Sequence, residues 1–200
     1  MAPKLNRTRH ALPVPALATL ATVALLAACN GPPSDEMAPV TRRADLRIED
    51  LKRTVGIVRD KFTSLAAAMP ESSLSWRPMD GVRSVSDVYI HISADNYYVP
   101  SLMGIEAPAA TGVTDDIDTF RAYQERSMSR TEMLAAVDES FEFFLDAIDL
   151  TAGELDREIT LGTPTTVGDV WIRAVTHLHE HLGQSIAYAR SNGVVPPWSR

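Results

Sequence analysis

The clearest signal in the chain is a set of apolar stripes at helical spacing. Between about Thr41 and Met69, residues Leu51, Val55, Val58, Phe62, Leu65 and Met69 recur in alternating steps of four and three. With 3.6 residues per turn, that spacing predicts one stripe along a long amphipathic helix. Pro70 ends it, and the stretch ESSLSWRPMDGVRS reads as a loop, with Pro78 and Gly81 at turns. Ser84 followed by Asp87 has the form of a capping box and predicts a second helix on which Val88, Ile92, Asp95, Val99 and Leu102 share a face with His91. The segment GIEAPAATGVTDD is a linker to a short helix through Phe120 and Tyr123. A second capping-box pattern, Ser129 with Glu132, opens a third long helix striped by Leu134, Val137, Phe141, Phe144, Leu145 and Ile148. A fourth is predicted from near Thr166 to about Asn192, with Val170, Ala174, His177, Leu178, His181, Ser185 and Ala189 facing inward. Gly193 caps it ahead of Pro196 and Pro197. No stretch alternates with period two for long enough to predict a strand. Four helices with one stripe each pack most simply as an all-α bundle.

The first 28 residues stand outside this pattern. A basic start, MAPKLNRTRH, is followed by an apolar run of about 18 residues, ALPVPALATLATVALLAA, with no acidic residue in either. That arrangement predicts an export signal. Pro13 and Pro15 break the first half of the run and leave too short a continuous helix to span a bilayer comfortably. The run closes on Leu26-Ala27-Ala28-Cys29, which looks like the lipobox of bacterial lipoproteins, where a lipid is attached to the cysteine and cleavage falls just before it. Cys29 is the only cysteine, so no disulfide or thiol nucleophile competes for its role. The polar, Pro-rich NGPPSDEMAP behind it reads as a tether. The expected organisation is a signal peptide over 1–28, a tether over 29–44 and a folded domain over 45–198, anchored to a bacterial membrane on the periplasmic or extracellular side.

Composition narrows the partners. With 22% charged and 45% hydrophobic residues, the chain has the balance of a globular domain. Loss of the leader's Lys4, Arg7 and Arg9 takes the formal charge from -7 to -10. An acidic domain lacks the basic stripe that displaces counterions from nucleic acid, so nucleic acid is excluded as a partner.

The histidines carry the candidate chemistry. His177 and His181 are four apart on one predicted helix, about 40° apart in azimuth and roughly 6 Å along its axis, so both imidazoles can reach one ion. His179 points to nearly the opposite side. An H-x-x-x-H pair by itself fits surface or partly buried histidines as well as a metal site. The intervening Leu178, His179 and Glu180 also give no H-E-x-x-H zincin motif. His91 adds to the case, because an imidazole on the core face of another helix needs a partner. Asp95, one turn after His91, is the candidate catalytic group. It could orient an imidazole, act as a base on water, or pair with a neighbouring helix. Trp76 and Pro78 read as a core cap and a rigid turn, and Gln184 reads as packing.

The loop LSWRPMDGVRSVSDV leading to His91, and the ending HLHEHLGQSIAYARSNGVVPP with its H-x3-H-x-G-Q pattern, resemble the DinB-like family of metal-binding four-helix bundles. The resemblance runs over roughly residues 45 to 198. It implies a DinB-like four-helix bundle in which His91, His177 and His181 ligate one divalent ion, nickel or zinc. It also makes a homodimer an expectation. Members often carry H-H-R-G-Q, whereas Glu180 and Leu182 flank His181 here, which changes the surroundings and leaves the ligands. The implied function is a metal-dependent hydrolase or transferase acting on a small molecule, and the other reading is a noncatalytic module with a structural ion. Export disfavours the cytosolic thiol cofactors that some members use.

The lipobox makes a direct prediction. Expressed in a bacterial host, the protein is expected to label with fatty acid and to fractionate with membranes. Cys29→Ser should abolish both, and labelling that survives the substitution would refute the anchor.

Overall fold

The computed structural model describes residues 38–199, with side chains from Arg47 onward. The signal peptide, Cys29 and most of the tether therefore lie outside the described residues. Four long helices form the body: α1 (Ala38–Ala68), α2 (Val85–Ser101), α4 (Arg130–Leu150) and α5 (Val167–Ser191), with a short α3 (Ile117–Gln124) between α2 and α4. α1 is helical from Ala38, so residues 38–44, expected to be tether, belong to the helix. Pro39 is tolerated there because a first-turn residue has no helical hydrogen bond to lose.

Both capping boxes form as the sequence predicts. Ser84 Oγ accepts from Asp87 N–H at 3.2 Å while Asp87 Oδ2 accepts from Ser84 N–H at 2.8 Å. Ser129 and Glu132 make the same reciprocal pair at 3.3 and 2.7 Å. Thr166 caps α5 through Asp169 N–H, and Gly193, with φ 74°, takes the left-handed position just past its end.

α1 packs mainly on α4 and α5, and α2 packs mainly on α4, with α3 and α5 on its other sides. α1 and α2 are thus diagonal neighbours, as are α4 and α5. Large aromatic side chains close both diagonals: Phe62 of α1 meets Tyr89 of α2 edge-on at 6.1 Å, and Phe144 of α4 meets Trp171 of α5 at 5.0 Å. Phe62 also lies 5.8 Å from Phe141 of α4, so one aromatic group joins α1, α2 and α4 and the Phe144–Trp171 pair joins α4 to α5. Trp171 Nε1–H donates to Thr151 Oγ1 at 2.9 Å, which gives the buried indole its hydrogen bond.

The structure departs from the sequence reading in three places. α2 buries twelve of its seventeen residues, including Ser93, Asp95 and Asn96, instead of one stripe. The added cover comes from α3, which packs on the side that α4 and α5 leave open. On α4 the buried face is rotated by about one residue: Met133, Ser140 and Ala147 are buried while Leu134 and Leu145 are only half-buried. A two-stranded antiparallel ribbon, β1 (Glu158–Leu161) with β2 (Thr163–Thr166), precedes α5. Four residues per strand are too few for period two to stand out, and the tight reversal depends on Gly162, with φ 73°. Among the described residues no helix is long and apolar enough to cross a membrane.

Phe141 is fully buried against Phe62 of α1. Phe141→Ala is expected to lower the free energy of unfolding by about 3–5 kcal/mol in urea titrations, the range for removing a buried phenyl ring. A loss below about 1 kcal/mol would show that the diagonal helices are held by other contacts.

Candidate metal centre

His91 on α2 and His177 and His181 on α5 bring their ring nitrogens together. Among the described residues they form a group whose candidate ligand atoms all lie within 4.8 Å of one another. His91 Nε2 is 3.1 Å from His181 Nε2 and 3.3 Å from His177 Nε2. Three imidazole nitrogens held about 2.0–2.1 Å from one ion stand about 2.8–3.4 Å apart for angles between the octahedral and the tetrahedral. The observed spacings fall in that interval. His179 is exposed, with Nδ1 donating to Val175 O at 2.8 Å, and takes no part.

The tautomers follow from the hydrogen bonds behind the cluster. His91 Nδ1 is 2.8 Å from Gln124 Oε1, which also accepts from the Arg83 guanidinium at 3.1 Å. A guanidinium only donates, so this amide atom is the oxygen and His91 must carry its proton on Nδ1. His181 Nδ1 is 2.7 Å from Gln184 Oε1. Gln184 Nε2 donates to Tyr188 OH at 3.0 Å, and that hydroxyl donates onward to Arg83 O at 3.2 Å. The orientation of the second amide is thereby fixed as well, and His181 is also protonated on Nδ1. Arg83 anchors both relays, one through its side chain and the other through its carbonyl. Trp76 holds Tyr188 edge-on at 5.3 Å, which gives the Trp-containing loop a place in the support of the site.

With both Nδ1 protons committed, the neutral rings of His91 and His181 present bare Nε2 lone pairs to each other at 3.1 Å. That contact is not a hydrogen bond between neutral rings. Burial pushes the His91 pKa down to about 4, helped by Arg83 and His181 and opposed by Asp95 and Gln124, so His91 is neutral at physiological pH. Burial also lowers His181, against its bond to Gln184. His177 moves the other way, raised first by its hydrogen bond to Asp95 against the cost of burial. Its Nε2–H donates to Asp95 Oδ2 at 3.1 Å.

Asp95 is therefore placed among the ring nitrogens and not behind them. Its Oδ2 lies 3.1 Å from Nε2 of both His91 and His177. The orienting contacts on Nδ1 come from Gln124 and Gln184. Sequence reasoning missed Gln124, which sits on the short helix that follows a linker and is 33 positions from His91. It assigned Gln184 to packing, although the i, i+3 spacing from His181 was the available signal.

A helical bundle with three imidazoles converging between two of its helices defines a histidine-cluster domain, of the kind in which side chains on facing helices build a polar site within the bundle. A family model for the DinB superfamily matches residues 56–185, nearly two-thirds of the chain, and the chain belongs to that superfamily. Solved structures agree on the fold. A DinB-like protein from Bacillus cereus aligns with a TM-score of 0.62 at 16% identity, over 74% of this chain and 95% of that one. A DinB-like protein from Bacillus subtilis aligns with a TM-score of 0.56 at 17% identity, over 73% and 94%. No curated protein matches the chain.

The relays predict a measurable asymmetry in the metal-free protein. Long-range proton–nitrogen correlations are expected to find His91 and His181 protonated on Nδ1. Gln184→Ala should let His181 populate both tautomers while His91 keeps its own. An unchanged His181 tautomer in that variant would rule out control by Gln184.

Proposed function

We propose that this chain is an exported, lipid-anchored DinB domain whose His91, His177 and His181 bind one divalent metal ion, zinc or nickel, in a site that acts on a small molecule. The observation that carries the metal reading is the pair of bare Nε2 atoms, His91 and His181, facing each other at 3.1 Å with their other ring protons committed to glutamines. Two lone pairs at that distance repel unless a cation lies between them, and Asp95 Oδ2 adds a third acceptor to the same cluster. Imidazole nitrogen suits zinc and nickel alike.

A divalent ion in such a site supplies Lewis-acid activation of water or of a substrate oxygen. The chain's own residues supply the rest. Gln124 and Gln184 hold the rings of His91 and His181 in the ligating tautomer. Asp95 can take a proton at Oδ2, a position from which it already accepts one from His177. Side-chain exposure is 7% for His91 and 41% for His177, which leaves the His177 side as the approach for a substrate. The contact of Asp95 Oδ2 with two ligand atoms also favours a second reading, in which the carboxylate closes a four-coordinate structural site and the domain is a noncatalytic module. Anchoring at Cys29, assembly as a homodimer and the absence of a nucleic-acid partner belong to the proposal through the sequence and its charge.

Metal titration tests the assignment. His91→Ala, His177→Ala and His181→Ala should each weaken zinc or nickel binding by at least about tenfold, the loss that removal of even a supporting partner produces. His179→Ala should stay near wild type. The pH dependence has a definite sign: His177 is raised above its ordinary 6.5, so an ion must displace its proton until the pH exceeds the raised value. Affinity should therefore keep rising with pH beyond 6.5 by about one proton per ion, and that slope should vanish in His177→Ala. Equal losses on mutating His179 and His177 would refute the ligand set.

A further inference from the structure

The approach at His177 continues into a cavity of about 470 Å³. Asp95 and His177 are its polar members within the histidine cluster; Asn96 and the exposed Arg173, Thr176 and Glu180 also line it, and Val99, Leu102, Phe144, Leu161 and Ala174 are among the residues that make its wall mainly apolar. From Asp95 to Leu102 the wall follows α2 for seven residues, about 10 Å along the helix axis. The ribbon contributes Leu161, so the short β1–β2 element, whose Ile159 and Leu161 pack partly buried against the core, also forms one side of the cavity. The volume lies within the range of about 300–1,000 Å³ typical of small-molecule sites. Apolar wall around a few convergent polar groups is also the usual division of labour in such sites, one part taking the body of a ligand and the other its reactive head.

We propose that this cavity takes the hydrocarbon chain of a medium-chain acyl compound whose oxygen-bearing head sits at Asp95 and His177, against the histidine cluster. The proposal rests on the reading of that cluster as a metal site and adds the class of ligand. A carboxylate, hydroxamate or ester carbonyl would offer oxygen to the ion, and the chain behind it would follow an apolar route past Val99 and Leu102, with Leu161 on the ribbon side. A compact polar ligand of two or three carbons would leave that route unfilled, and a long polar one would set its hydrogen-bonding groups against side chains that offer no partners.

Hydroxamates test this directly, because the head stays constant while the chain grows. The full chain, loaded with zinc, is titrated calorimetrically with acetohydroxamate, butyrohydroxamate, hexanohydroxamate and octanohydroxamate. Burial of each methylene is worth about fourfold in affinity, so the octanoyl compound should bind at least about a hundredfold more tightly than the acetyl compound. Leu161 is half-buried and lies on the ribbon, apart from the two helices that carry the histidines, so Leu161→Glu should leave zinc affinity and acetohydroxamate binding within about threefold of wild type while removing the gain with chain length. Val99→Glu, on the opposite element, should do the same. Equal binding of short and long hydroxamates by the zinc-loaded protein, or a gradient that persists in both variants, overturns the proposal. If zinc is not retained, the metal reading fails on its own account. Octanoate against acetate then decides the cavity: a chain-length preference lost in Leu161→Glu sustains it, and no preference overturns it.

Discussion

Burial of α2 on nearly every side is the constraint from which the site follows. A polar group taken out of water costs several kcal/mol unless it is hydrogen-bonded, so the buried polar residues of α2 need partners, on their own helix or on a neighbouring one. Asn96 Nδ2 donates to Ser140 Oγ on α4, and Ser93 Oγ returns its proton to Tyr89 O on its own helix. His91 and Asp95, one turn apart, find theirs on α3 and α5. The position of α3 is therefore part of the chemistry. It covers the flank of α2 with Phe120, whose ring lies 5.9 Å from His91, and brings Gln124 to the imidazole.

The two glutamine relays make the cluster a joint between several elements. His91 depends on α3, His181 depends on Gln184 one turn further along α5, and both relays end on Arg83 in the loop before α2. That residue is largely exposed, yet it sits one position before the cap of α2, and its carbonyl and its guanidinium address opposite sides of the cluster. Fixing the tautomers in advance removes a cost that ion binding would otherwise include, since rings held in the ligating form need not reorganise. An ion bound there would tie α2 to α5, two helices already joined by packing, and would stabilise the bundle by mass action because the unfolded chain has no such site.

Much of this was legible from residue order alone. The capping boxes at Ser84 and Ser129 fixed two helix starts because a side chain three residues on completes a local motif. His177 and His181 could be paired through helical geometry, and His179 could be set aside by the same phase argument. What could not be read depended on tertiary placement. The extra cover of α2 is supplied by a helix beyond a linker, so its hydrophobicity resembled a stripe with additions. Gln124 has no spacing relation to His91. The one-residue rotation of α4 brings Ser140 to Asn96 of α2, a tertiary contact that periodicity within α4 does not encode. The ribbon is four residues per strand and is held by Gly162 and the pairing of Glu158 with Thr166, below the length at which alternation is a signal.

Exposure settles which side of the cluster is open. The His91 side chain is 7% exposed and lies under α3, while that of His177 is 41% exposed and borders the cavity. Asp95, at 12%, stands on the boundary between them and shares Oδ2 with both rings. Its carboxylate has one partner to lose when an ion arrives, because the His177 proton that now occupies Oδ2 must leave before that ring can ligate. The freed oxygen then has two destinations. Drawn onto a bound ion, it would serve as a fourth protein ligand beside the three imidazoles. Held off by the geometry of α2, whose backbone cannot shift without disturbing the buried Asn96–Ser140 bond, it remains an acceptor at the mouth of an apolar cavity. The second arrangement leaves the cavity, with Leu161 of the ribbon in its wall, open to the cluster, and it is the one the proposed chemistry requires.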